Sequence, residues 1–347
     1  MFFWIGFFRE VGRFGVMKVL ELVAPSVVEV VERDVPLVGA GEVRVRVRAC
    51  GICGSDLHGM DGSSGRRIPP VVMGHEASGV IEAVGEGVEG FAVGDRVTFD
   101  STVWCGDCDY CREGRVNLCD SRQVVGVSCA EFRRDGAFAE AVVVPERIVH
   151  RLPEGLSFEE AAFAEPVGVA LHAISRTKDL SGKRVLVVGA GLIGLLIVQG
   201  LKRAGASEVV AVDLDEGRLR LAVELGASEG ILAGEFEGGD FDVAMEVVGA
   251  APTVKQAMEA VKKGGQVVLV GNLAPEVPFP LQVAVTRELD VLGSCAIAGE
   301  YPDALEAIAD GSVQVKPLIT AVEKLENGVR AFEKASELGA LKVLIEP

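Results

Sequence analysis

Four cysteines, Cys105, Cys108, Cys111 and Cys119, follow one another at C-x2-C-x2-C-x7-C spacing. Thiolates so spaced can converge on one tetrahedral Zn²⁺, with Zn–S bonds of about 2.3 Å, and four protein ligands leave no open position, so such an ion is structural. Half of the chain's eight cysteines fall in this window. That favours the metal over unrelated cysteines or a redox C-x-x-C pair, which would need no third or fourth partner. Arg112 and Arg115 lie inside the cluster and are expected to offset the charge of a tetrathiolate.

A second set is more dispersed. GICGSDLH, residues 51 to 58, places Cys53 near Ser55, Asp56 and His58; Gly74-His75-Glu76 follows, and Glu165 precedes Pro166 in AEPVGVALHA. A cysteine, a histidine and a carboxylate can hold zinc while leaving a position for water, as a catalytic site requires. Spacing alone does not separate this from polar loop residues with no common role.

The third set is glycine-rich. After the apolar run Arg184 to Val188 comes GAGLIG, with Gly189, Gly191 and Gly194 around Leu192 and Ile193, opening an apolar helical stretch. The first glycine allows a tight turn, the second lets backbone approach a pyrophosphate, the third lets helix pack on strand, and the helix N-terminus receives the anion. Asp213 closes the next strand, nineteen residues past Gly194. Its carboxylate would bind ribose hydroxyls and repel a 2′-phosphate, favouring NAD over NADP. Arg218, five residues on, would meet the ribose edge and soften that preference.

The elements that must carry these residues divide the chain. At 347 residues it suits about two domains. Residues 17 to about 165 are strand-rich: VRVRVRAC, Val43 to Cys50, alternates with the period of a half-buried strand. Ser157 reads as the N-cap of a helix running to Leu171. Lys183 to Asp213 is a strand–turn–helix–strand unit, and the runs Phe241–Val248, Gln266–Val270 and Val291–Gly293 are continuously apolar, as in parallel strands covered on both faces. Helical Pro302–Asp310 and a final strand, Leu341–Ile345, complete the pattern. The fold class is therefore α/β, a β-rich unit joined to a doubly wound parallel sheet. Residues 1 to 16 hold six aromatics, match nothing downstream and read as a non-native or disordered extension rather than a secretory signal.

A formal net charge of −17 and pI near 4.8 argue against nucleic-acid binding. The same field disfavours anionic substrates unless a local Arg/Lys patch overrides it. No apolar run is long enough to span a bilayer. Thiols spaced for metal rather than disulfides fit a reducing cytoplasm.

In their order, GICGSDLH, GHE, the cysteine lobe, AEPVGVALHA and GAGLIG resemble the zinc-dependent medium-chain alcohol dehydrogenases. The resemblance covers residues 17 to 347 and is greatest to the polyol branch of sorbitol and L-iditol 2-dehydrogenases, with L-threonine 3-dehydrogenase and butanediol dehydrogenase nearby. It implies a GroES-like catalytic domain (17–165, with the zinc lobe at 105–119), a Rossmann NAD-binding domain (166–297), and a C-terminal segment (298–347) completing the first. It implies two zinc ions per chain, one structural and one catalytic at Cys53, His75 and Glu76, with Glu165 as direct or water-mediated fourth partner. Ser55 would take the hydroxyl proton, His58 would relay it outward, and Asp56 would orient His75. The implied substrate is a small alcohol or polyol and the implied assembly a homodimer or homotetramer. His150 and His172 read as structural, and Glu246 as a residue of the coenzyme cleft. Gly59-Met60 and Ser294-Cys295-Ala296 depart from the polyol branch where substrate is chosen.

Overall fold

In the computed structural model, which describes residues 15–347, the strand Glu42–Gly51 organises the first unit. Val43, Val45, Val47 and Ala49 are buried while Arg44, Arg46 and Arg48 alternate with them outward, so Val43, Val45 and Val47 enter a core with Ile81, Phe99 and Phe138, and Ala49 packs in the neighbouring core with Phe163. One edge pairs antiparallel with Glu76–Val84. The other is shared: Ala141–Pro145 covers Glu42 to Arg46, and the C-terminal strand Lys342–Glu346 covers Cys50 and Gly51. Lys342–Glu346 then pairs in parallel with Ile319–Lys324, so residues from both ends of the chain build one seven-stranded sheet. Of the N-terminal extension, residues 1–14 lie outside the described residues.

The second unit is a six-stranded parallel sheet in the order Glu229–Leu232, Glu208–Asp213, Arg184–Val188, Phe241–Glu246, Val261–Leu269, Asp290–Gly293. With Arg184–Val188 counted first, this is the 3-2-1-4-5-6 arrangement of doubly wound dinucleotide folds. Val185 and Val187 enter one core and Leu186 and Val188 the other, which is why these strands are apolar at consecutive positions.

The helix expected from Ser157 to Leu171 is two helices. Ser157 caps Phe158–Ala161 through a reciprocal box with Glu160, Oγ accepting from Glu160 N at 3.2 Å and Ser157 N donating to Glu160 Oε2 at 3.1 Å. A new helix then runs from Ala164 to Ser175. Pro166 has no N–H to give and its ring would strike the preceding turn, so it is accommodated only by starting a helix afresh. That restart places Glu165 in a first turn, facing the interface between the units.

Candidate active site and coenzyme site

Cys53 is the N-cap of the short helix Gly54–Gly59: its Sγ accepts from Ser55 N at 3.5 Å, and its own N–H donates to Asp56 Oδ2 at 3.2 Å. His75 and Glu76 enter at the start of the strand Glu76–Val84, after Gly74. Gly74 has φ +94°, and a Cβ there would lie 2.7 Å from the Phe138 ring, so only glycine makes this corner. Ligand atoms of Cys53, His75 and Glu76 all fall within 4.8 Å of one another. A thiolate, an imidazole and a carboxylate suit zinc, and three protein ligands leave room for substrate.

Around this trio the structure adds two residues the sequence did not single out. Arg67, buried, donates to Asp56 Oδ1 from Nε at 3.3 Å and from an Nη at 2.8 Å, and that Nη also reaches Ser55 Oγ at 3.3 Å. Burial alone would raise the pKa of Asp56, yet the charges of His75 and Arg67 hold its carboxyl below the usual range. His75 Nδ1 faces this carboxylate at 3.6 Å and has no hydrogen-bond partner, so the expected orienting contact is longer than a hydrogen bond. Lys342, 2% exposed, pairs with Glu76 and donates to Ile52 O at 3.0 Å. A lysine inside an otherwise apolar terminal strand was the signal that could have revealed it.

Glu165 is not part of the three-residue cluster. It is buried nearby, accepts from Ser101 Oγ at 3.5 Å, and is pushed up to about 8, chiefly by burial and then by Glu76 and Cys53 against the opposing charge of His75. Burial and Glu76 likewise push the Cys53 thiol up to about 11. A cleft of about 610 Å³ brings together Ser55, His75, Ser101, Glu165, Arg122 and Cys295. His58 is exposed on the last turn of its helix, makes no hydrogen bond to Ser55, and does not line that cleft.

In the cysteine lobe the four sulfurs also lie within 4.8 Å of one another, with Cys105–Cys111 at 3.9 Å and Cys105–Cys119 at 3.5 Å. A tetrahedron with Zn–S bonds of about 2.3 Å has edges of about 3.8 Å, so the thiols fit one ion. Backbone N–H groups of Asp120 and Cys111 draw the Cys108 thiol down to about 7. Arg112 pairs with Asp109 at 2.6 Å and Arg115 with Glu113 at 3.5 Å, so each guanidinium is engaged by a carboxylate rather than given over to the thiolates.

At the coenzyme site Gly191 caps the helix Leu192–Arg203, and a Cβ there would meet nothing within 4 Å: the backbone faces open space where a pyrophosphate would approach. A Cβ on Gly194 would instead run into the Gly189 carbonyl. Asp213 accepts from Ala190 N at 2.6 Å and from Asp215 N at 3.0 Å, which fixes its carboxylate beside the glycine turn. Arg218 lies in the next helix with a buried Nε that has no partner. Glu246, expected in the coenzyme cleft, is fully buried and anchors the turn after its strand, accepting from Val248 N, Gly249 N and Thr253 Oγ1 at 3.0, 2.8 and 2.7 Å. His150 stacks on Tyr301 at 4.7 Å, and His172 bonds Glu300 at 2.7 Å, both structural placements. Among the described residues no helix is long and apolar enough to cross a membrane.

An alcohol dehydrogenase GroES-like domain profile matches residues 39–154, and a zinc-binding dehydrogenase profile matches residues 193–310. Sorbitol dehydrogenase of Bacillus subtilis is 36% identical over 329 residues, covering 90% of this chain and 92% of that protein. D-xylulose reductase A of Aspergillus niger is 37% identical over 322 residues, covering 88% and 89%. The crystal structure of L-idonate 5-dehydrogenase from Escherichia coli superposes with a TM-score of 0.90 at 29% identity, over 96% of this chain and 99% of that one.

Proposed function

Because this chain belongs to the zinc-binding dehydrogenases with a GroES-like catalytic domain, we propose that it oxidises a secondary alcohol of a polyol and passes the hydride to NAD⁺. The observation that carries this reading is the Cys53–His75–Glu76 cluster opening, through His75, onto a cleft beside the glycine-turn unit. Zinc held there would polarise the substrate hydroxyl and lower its pKa.

The chain's own residues do the rest. Ser55, in the cleft wall, takes the hydroxyl proton, and exposed His58, which is not hydrogen-bonded to Ser55, would receive it through water and exchange it with solvent. Arg67 keeps Ser55 and Asp56 in fixed relation, and the Asp56 charge favours the His75 tautomer with Nδ1 protonated, leaving Nε2 for the metal. Buried Glu165, close enough to feel the charges of His75, Glu76 and Cys53, would be the direct or water-mediated fourth partner of the ion. Gly189, Gly191 and Gly194, with Leu192 and Ile193 in the helix's first turn, bind pyrophosphate; Asp213 binds the ribose, with Arg218 at its edge. The second ion at Cys105, Cys108, Cys111 and Cys119 holds the lobe together. We take the enzyme to act in the cytoplasm, which its metal-spaced thiols fit, and as a homodimer or homotetramer, as the resemblance implies.

A screen of NAD⁺ reduction across polyols, sugar-alcohol phosphates, L-threonine and vicinal diols tests the assignment; NADH formed with polyols is the expected result, and its absence with every alcohol overturns it. Ser55→Ala should lower kcat by about 10² to 10⁴ with zinc content unchanged, and His58→Ala by less, because solvent replaces the outer member of a relay more readily than the inner one.

A further inference from the structure

We propose that the cleft is built for substrates with an anionic end, a carboxylate or a phosphate, gripped by Arg122 while the reacting carbinol lies at Ser55 and His75. This rests on the dehydrogenase reading above and narrows its substrate class.

In a chain of net charge −17, the cleft wall carries three guanidiniums, Arg66, Arg67 and Arg122. Arg67 is already neutralised by Asp56. Arg122 makes no ion pair among the described residues. One Nη donates to Asn117 O at 2.8 Å and to Cys295 Sγ at 3.4 Å, and these neutral partners, one from each unit, fix the side chain without cancelling its charge. Its Nε and second Nη have no hydrogen-bond partner among the described residues, which is the fork that meets two oxygens of a carboxylate or phosphate side by side.

The surrounding charges do not discharge it. Asp100 is near enough to feel the charge of Arg122 but makes no ion pair with it among the described residues, and its carboxylate accepts from Thr102 N at 2.8 Å. Glu131 is the exposed carboxylate of the wall, and the guanidinium whose charge it feels is Arg66. A neutral polyol would leave a half-buried, pre-positioned cation facing the substrate with no carboxylate in direct contact. An anionic terminus supplies that contact, and because the fold already holds the side chain, little further ordering opposes binding.

The test compares sorbitol, gluconate and sorbitol 6-phosphate as a matched set with NAD⁺, in the parent, Arg122→Gln and Arg122→Lys, with calorimetric titration of the two anions alongside. One anion should exceed sorbitol in kcat/KM by about 10- to 100-fold, the range for a hydrogen-bonded charge pair, mainly through KM and less so at high salt. Arg122→Gln should erase most of that ratio, and Arg122→Lys should keep part of it. Gluconate leading assigns a carboxylate; sorbitol 6-phosphate leading assigns a phosphate. Should sorbitol equal or exceed both anions, or Arg122→Gln depress all three substrates alike, the proposal fails while the polyol reading stands. If nothing is oxidised yet an anion binds and Arg122→Gln abolishes the binding, the anion site stands and the hydride-transfer reading fails; no oxidation and no binding overturns both.

Discussion

Replacing Lys342 by Met should make this protein less stable without zinc and, at the same time, tighten its hold on zinc at the Cys53–His75–Glu76 site. Lys342 and Glu76 are 2% and 1% exposed, and among the described residues no other basic group is hydrogen-bonded to the Glu76 carboxylate. Two unit charges about 3 Å apart attract by about 5 kcal/mol at an effective dielectric of 20. Removing one partner of a buried pair typically costs about 3–5 kcal/mol, because the other is left charged and dry. A bound dication takes over the role of the ammonium, so the zinc-loaded form should lose less than half as much. By linkage the difference appears as zinc affinity, about 10- to 100-fold tighter in Lys342→Met. Competition against a colorimetric chelator reads the affinity, and denaturation midpoints with and without chelator read the stability. Unchanged or weaker zinc binding in the variant, with the zinc-free form as stable as the parent, would refute the idea that Lys342 competes with the metal for Glu76. The double variant Lys342→Met/Glu76→Gln should recover much of the lost stability, since no buried charge then goes unpaired.

Other outcomes can be checked directly. Active protein should contain two zinc ions per chain, and mild chelation should remove the one at the open three-ligand site before the four-thiolate ion; elemental analysis and activity followed together would show it. Asp213→Ser should move coenzyme preference from NAD⁺ toward NADP⁺, measured as the ratio of kcat/KM values, and a parent that already prefers NADP⁺ would displace Asp213 from that role. His150 is held down to about 4 by burial, whereas unfolded histidine titrates near 6.5. Between those values the unfolded chain binds the extra proton, so stability should fall with falling pH by up to about 3 kcal/mol, and His150→Phe should remove that loss in pH-dependent denaturation. Asp100, pushed up to about 6, acts with the opposite sign between about 3.8 and 6, so Asp100→Asn should steepen the acid loss.

Motifs confined to one local element were legible in the sequence. The cysteine lobe and glycine turn are each closed by residues within a single stretch, and the structure brings together the atoms their spacing implied. The trio Cys53, His75 and Glu76 needed the family's motif order, because a helix cap and a strand start meet only once a sheet has formed. Arg67 was illegible, and Lys342 marked only by its place in an apolar run, for a related reason: each is a common surface residue type, and its meaning comes from burial against Asp56 or Glu76. The helix break at Ala162–Phe163 was written in Pro166, but the apolar periodicity on both sides masked it. Glu246 was only partly legible because a carboxylate at the end of a parallel strand serves equally to bind a ligand or to tie the following turn, and the structure shows the second role, with one oxygen accepting three backbone and hydroxyl donors.

The strand Lys342–Glu346, seated against Cys50 and Gly51, also sets how this protein can be taken apart. Cutting the chain once between the two units would strip Glu42–Gly51 of a neighbour and expose a sheet edge open to pairing with other chains. The parallel-sheet unit is therefore an insertion in a divided host, and exchanging it for another requires two junctions, with the C-terminal strand retained. A chimera made that way keeps Lys342 beside Glu76; one made by simple end-to-end fusion loses that contact along with the sheet edge.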